Sequence, residues 1–251
     1  MLEELIIAIQ SYFKAHRFIK KNRLWKWILI PGIIYAILFV LGIYYFWHSV
    51  SFIIDYFFSV VGIKAWFAKV NARWLQFIFL FGQLILQLIL MLFYFSCFKY
   101  FFLIAGSPLF AYLSEKTDAI LNGRIYSFSL KKLLKDILRG IIISLRNFFW
   151  QTVYTIGILL LGIIPVFGWI TPLLALFNEC FYFGFAMLDY TNERKGRSAS
   201  ESIDLVNRHK GLAVGNGMVF FGMHLLPVIG WVIAPAYAII AATISLQTEE
   251  A

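Results

Sequence analysis

Six of the chain's basic residues precede Trp27, and four of them (Lys20, Lys21, Arg23 and Lys26) crowd the start of the first long apolar run. Where a helix begins, its free backbone N–H groups and its dipole favour negative charge, so cations beside such a start are suited to hold an oxyanion. The positive-inside rule would also put basic residues there. Other chemistry is poorly represented. The four histidines, His16, His48, His209 and His224, are scattered, with no His-Glu-x-x-His pattern, no cysteine pair and no carboxylate cluster at metal-ligand spacing. No metal or other cofactor is expected. No Gly-x-x-x-x-Gly-Lys-Ser/Thr loop is present for ATP, and Gly215-Asn216-Gly217 lacks the strand and helix of a dinucleotide site. A nucleophile served by His209 or His224 would have to be assembled in space, and the missing motifs argue against an enzyme.

The elements that position these residues belong to a membrane. The 251 residues are 61% apolar, 19% aromatic and only 14% charged, with 27 Phe and 8 Trp; soluble domains carry roughly 25% charge. A soluble domain and a disordered chain are both excluded. Cys97 and Cys180 lie in separate apolar runs and read as membrane-buried thiols rather than a disulfide framework. The start Met-Leu-Glu-Glu has acid where a secretory signal needs base, so no cleaved peptide is expected.

Trp27 to Trp47 is uncharged and bounded by aromatic residues, long enough for a hydrocarbon core of about 30 Å. Trp74 to Phe98 is a second uncharged run whose apolar pattern continues past Lys99 to Ala105. Of the 22 basic residues, six precede Trp27, three lie between His48 and Arg73, eight run from Lys99 to Arg146, and five from Arg194 to Lys210. This asymmetry predicts that both termini are cytoplasmic and that 48–73 is external, forming interfacial helices.

From Leu130 the residues Leu133, Leu134, Ile137, Leu138, Ile141, Ile142 and Leu145 make an amphipathic stripe, with Lys131, Lys132, Lys135, Arg139 and Arg146 opposite. A basic amphipathic helix of this kind suits the surface of anionic lipid, in preference to nucleic acid or substrate. Ile164-Pro165-Val166-Phe167-Gly168-Trp169 recurs as Leu226-Pro227-Val228-Ile229-Gly230-Trp231. In each copy Pro ends a helix, Gly permits a turn and Trp suits interfacial depth. The arms, about 148–164, 173–188, 211–226 and 236–246, are short for spans, most reaching only about 24 Å, which describes two helical hairpins that enter the bilayer to an undetermined depth.

Polar residues within these helices require partners. Gln83 and Gln87, one turn apart, fit interhelical hydrogen bonds. Glu179, the single acid in the hairpin arms, suits ion coupling or gating as well as a structural salt bridge.

The constellation resembles the CysZ-type sulfate permeases, grouped with the etoposide-induced membrane protein family, from about Phe18 to Ile244. The resemblance is carried by Arg23-Leu24-Trp25-Lys26-Trp27 followed by Ile28-Leu29-Ile30-Pro31, by Ile104-Ala105-Gly106-Ser107-Pro108 leading to Ala111-Tyr112-Leu113-Ser114-Glu115, by the turns at 164–168 and 226–235, and by Asp189-Tyr190. It implies an inner-membrane, oligomeric protein with two full spans and two pairs of partly penetrating helices, moving sulfate inward for assimilation. It also implies an anion site at Arg23, Leu24, Trp25 and Lys26, standing respectively where the family has Gly, an aliphatic residue and two adjacent arginines. One cation, Lys26, is in register, and Arg23 is a displaced second. Phe110-Ala111 stands where the family has Asn-Gly ahead of the motif that ends at Glu115.

The expectation is an all-α integral membrane protein of the inner membrane: a cytoplasmic basic segment 1–26, spans 27–47 and 74–105 flanking an external interfacial 48–73, a cytoplasmic amphipathic 106–147, hairpins 148–188 and 211–247, and a cytoplasmic link 189–210. Its expected function is ATP-independent permeation of sulfate or a related oxyanion as a homo-oligomer in anionic lipid, with no nucleic-acid partner. Glu115 and Glu179 are candidates for gating or coupling. The alternative is a membrane-shaping scaffold without transport activity.

Overall fold

The computed structural model describes the backbone of residues 1–60, 62, 73–123, 130–162, 164, 169–226 and 228–250. The first hairpin turn at 165–168, Pro227, and the side chains of Gln83, Gln87, Cys97, Lys131, Lys132 and Lys135 lie outside the described residues. Eight helices and no strand occur among those described: α1 Leu2–Lys21, α2 Trp25–Val60, α3 Arg73–Asn122, α4 Leu130–Gly162, α5 Thr171–Arg194, α6 Ala199–Arg208, α7 Lys210–His224 and α8 Ile229–Glu250. The protein is an all-α membrane protein. By length and composition, Trp25–Ile53, Thr171–Arg194 and Ile229–Glu249 are each able to cross a bilayer.

Several helices outrun the stretches marked by apolar pattern. α2 continues through 48–60 because nothing there breaks a helix; the first glycine beyond it, Gly62, has φ +75°. α3 runs through Pro108, and α4 joins the amphipathic stretch to the first hairpin arm without interruption. α5 carries on past Leu188 through Asp189, Glu193 and Arg194, whose charges find partners inside the protein.

Two compact units divide the chain: Met1–Ala36 with Tyr100–Ala251, and Ile37–Lys99. In the second, Phe46 stacks on Tyr94 with ring centroids 4.2 Å apart, and Gly42 leaves room for the Tyr94 hydroxyl, which a Cβ would meet at 2.0 Å.

The larger unit is built on α5, α7 and α8. α5 and α7 approach backbone to backbone at two glycines: a Cβ on Gly184 would stand 1.9 Å from the Ala213 oxygen, and one on Gly217 would stand 2.0 Å from the Cys180 oxygen. Small residues allow such proximity between membrane helices. Phe183 stacks on Phe220 in the same contact, centroids 3.5 Å apart. α8 is buried through Ala234 and Ala236–Ala242. α1 lays Ala8, Ser11, Tyr12, Ala15 and Ile19 into this core, while its cations Lys14, Arg17, Lys20 and Lys21 stay exposed. The Tyr12 hydroxyl donates to the Asn216 carbonyl oxygen at 2.8 Å, and the Asn216 amide donates to the Ala238 oxygen at 2.9 Å, joining α1, α7 and α8. Burial pushes the Tyr12 phenol well above its ordinary pKa, aided by Cys180, which keeps it a donor.

Candidate functional site

The start of α2 is set by how α1 ends. Leu24 N–H donates to the Ile19 oxygen at 3.1 Å and Arg23 N–H to the Lys20 oxygen at 3.5 Å, the two crossed bonds of a Schellman motif. Arg23 occupies its left-handed position with φ +52°, where glycine is usual. Leu24 and Ile19, the apolar pair of the motif, are 2% and 0% exposed. The chain therefore turns sharply on a buried leucine and begins a new helix at Trp25.

Arg23 and Lys26 are both exposed at this helix start, where the first N–H groups lack partners within the helix itself and Trp27 N–H donates to the Leu24 oxygen at 3.0 Å. Trp25 packs edge-on against His16 at 6.3 Å, and the His16 Nδ1 lies 2.7 Å from the Tyr237 hydroxyl. Trp27 packs on Tyr112 at 4.7 Å, and the Lys116 ammonium lies 4.5 Å over the Trp27 ring. Lys116 thus adds a third cation near the first turn of α2. Sequence reasoning missed it because 89 positions, 116 − 27, separate it from Trp27 and no local pattern marks the approach.

Glu115, beside Lys116 on α3, belongs to a buried charge network. Its Oε2 accepts from Arg194 Nη1 at 2.8 Å, and Arg194 Nη2 donates to Glu193 Oε1 at 2.8 Å. Arg139 of α4 clamps Asp189 with both guanidinium nitrogens, at 3.0 and 2.9 Å, and reaches Glu193 at 3.4 Å. Ser202 of α6 donates to Asp189 at 2.5 Å and accepts from Asn192 at 3.0 Å. The segment Tyr112–Lys116 therefore touches the start of α2 on one side and this network on the other.

Arg139 corrects part of the amphipathic reading of α4. Leu138, Ile142 and Leu145 are exposed, whereas Ile143, Asn147 and Gln151 are buried. Arg139 turns to the interior because Asp189 and Glu193 supply countercharge there.

Glu179 sits in a separate polar chain. The Tyr100 hydroxyl donates to Gln151 Oε1 at 2.6 Å, and the Gln151 amide donates to Glu179 Oε1, tying α3, α4 and α5 together. Asn178 donates to Thr155 Oγ1 at 3.1 Å. Glu179 and Glu115 are not brought together: Glu179 lies fifteen positions along α5 from Arg194, 194 − 179, about 22 Å of helix. Near the chain ends, Glu4, His209 and Glu249 converge, a grouping without a local sequence signal.

With this geometry stands one comparison. The family model for Sulfate transporter CysZ/Etoposide-induced protein 2.4 matches residues 11–235, in agreement with the resemblance carried by the motifs from Arg23 to Pro235. No curated protein matches the chain.

Proposed function

Because the chain belongs to the sulfate transporter CysZ/etoposide-induced protein 2.4 family, we propose that it conducts sulfate or a related oxyanion across the inner membrane without ATP, supplying sulfur assimilation. The observation that carries this reading is the turn at Asn22–Trp25, which combines a helix start with exposed Arg23 and Lys26. The Trp25 and Lys26 N–H groups and the dipole of α2 attract the anion. Arg23 contributes a planar fork of donors and Lys26 a compact point charge. Leu24, buried beneath, anchors the loop, and Trp25 walls one side of it against His16.

In this reading both termini are cytoplasmic, in keeping with the basic segments 14–26 and 194–210, and several copies in anionic lipid enclose the path. Glu115 and Glu179 act as gating or coupling groups, because each ties together helices that must shift if a path opens.

The test is uptake of radiolabelled sulfate by liposomes carrying the purified protein, with Lys26→Ala and Arg23→Ala/Lys26→Ala in parallel. Uptake by the wild type that falls in both variants supports the anion site. Absence of uptake by correctly inserted wild type rejects sulfate conduction and favours a membrane-shaping role.

A further inference from the structure

Glu4 in the first turn of α1, His209 between α6 and α7, and Glu249 in the last turn of α8 meet although they are distant in sequence. Each offers one ligand atom, and these atoms lie within 4.8 Å of one another. His209 Nδ1 is 3.1 Å from Glu4 Oε1 and 3.5 Å from Glu249 Oε1. A tetrahedral metal with bonds of about 2.0–2.1 Å sets its ligands about 3.3–3.5 Å apart, so both distances fall close to a tetrahedron's edge. The imidazole Nδ1 carries at most one hydrogen. One proton serves two carboxylates incompletely, whereas a divalent cation bonds all three groups.

The surroundings orient the set as outer-shell contacts orient metal ligands. Gly211 N–H donates to Glu4 Oε2 at 2.9 Å, and the N-terminal ammonium lies 3.7 Å from the same oxygen. Oε1 is thereby left facing His209. A Cβ at Gly211 would stand 2.3 Å from the Met1 oxygen and 2.6 Å from Glu4 Oε2, so the glycine permits this approach. His209, Glu4 and Glu249 side chains are 31%, 14% and 25% exposed, which leaves an ion a route in from solvent.

We propose that Glu4, His209 and Glu249 form a three-ligand divalent metal site that fastens the first helix to the last, with a fourth position open to water. One imidazole and two carboxylates suit Zn²⁺ or Mn²⁺; the imidazole disfavours Ca²⁺ and Mg²⁺, and the absence of thiolate from the set disfavours Cu⁺. This proposal is independent of anion conduction.

The test uses the full chain in detergent, stripped with chelator and titrated with Zn²⁺, with bound metal measured after dialysis. About one Zn²⁺ per chain is expected. Saturating Zn²⁺, near a hundredfold above Kd, should raise Tm by roughly 5–10 °C. His209→Ala should lose the bound metal and the Tm rise, and Glu249→Gln, a near-isosteric change in the last helical turn, should weaken binding at least about tenfold. His48→Ala should bind as the wild type does. Equal Zn²⁺ uptake by wild type, His209→Ala and Glu249→Gln would overturn the proposal. So would variants that lower Tm by the same amount with and without Zn²⁺, which would identify the cluster as an ion pair only.

Discussion

Arg139 and Asp189, fifty positions apart on two different helices, face each other as planar fork and carboxylate at 3.0 and 2.9 Å. Their side chains are 16% and 5% exposed, so neither charge is compensated by water if its partner is removed. Asp189→Ala should therefore lower stability by about 3–5 kcal/mol. The pair Arg139→Met/Asp189→Leu should lose less than Asp189→Ala, since it removes the guanidinium along with its carboxylate and Glu193 keeps Arg194 as a partner. Denaturant unfolding of the wild type and the two variants in detergent measures both quantities.

Arg23 holds a left-handed backbone, φ +52°, that costs a residue with a Cβ about 1–2 kcal/mol. Arg23→Gly relieves that cost but gains unfolded-state freedom, so a net rise of about 0.5–1 kcal/mol is expected. Arg23→Ala should leave Tm nearly unchanged. If Arg23 also contacts the anion, both variants should weaken sulfate uptake equally, which separates the side chain's role from the backbone's.

Lys26→Ala should lower sulfate uptake at limiting concentration about tenfold, the effect of losing one charge-assisted hydrogen bond. Its Tm should be unchanged, because the ammonium is exposed. Initial rates against sulfate concentration, with thermal unfolding in parallel, check the two halves.

At Gly217 the α5 backbone passes so near that a Cβ would lie 2.0 Å from the Cys180 oxygen. Gly217→Ala should destabilise the protein by about 1–3 kcal/mol. Gly157→Ala, at a position where a Cβ meets nothing within 4 Å, should be neutral or slightly stabilising. Thermal unfolding of the two variants side by side checks the contrast.

Hydrogen bonds from the Ser198 N–H and hydroxyl hold the Glu201 carboxyl below its ordinary 4.5. A carboxyl with a depressed folded-state pKa adds stability above its unfolded value and loses it as pH falls through the folded one. Glu201→Ala should thus unfold at a lower temperature than wild type at pH 7, and that difference should close as the pH is taken below about 4. Unfolding curves of both proteins across pH 7 to 3 test the sign.

The uncharged run at 27–47 was legible in sequence as a helix, but the helix after the second Pro-Val-x-Gly-Trp motif begins at Ile229, ahead of the arm expected at 236, so that Gly230 and Pro235 lie inside α8 rather than in the turn; Gly230 instead allows a close approach, a Cβ there standing 1.8 Å from the Met223 oxygen. What escaped depends on long-range pairing. Arg139 looks like any lipid-facing cation until Asp189 is brought to it, and Lys116 looks like a solvated residue until Trp27 lies beneath it. The charge at the start of the first apolar run draws notice to Arg23 and Lys26 in the sequence, but the left-handed turn at Arg23 could not be derived from a residue type that ordinarily avoids it. α5 outran its apolar stretch for the same reason: Asp189 and Glu193 read as the edge of a link because their countercharges lie on another helix.

The bond from Tyr12 to Asn216 spans 204 positions. At 5–20 residues per second, a ribosome needs roughly 10–40 s to deliver the second partner after the first. During that interval the face of α1 bearing Ala8, Tyr12 and Ile19 has been synthesised without α7 and α8. α1 can thus dock only after α7 has been made, and the nascent chain must shelter that face on lipid or an insertion factor until then.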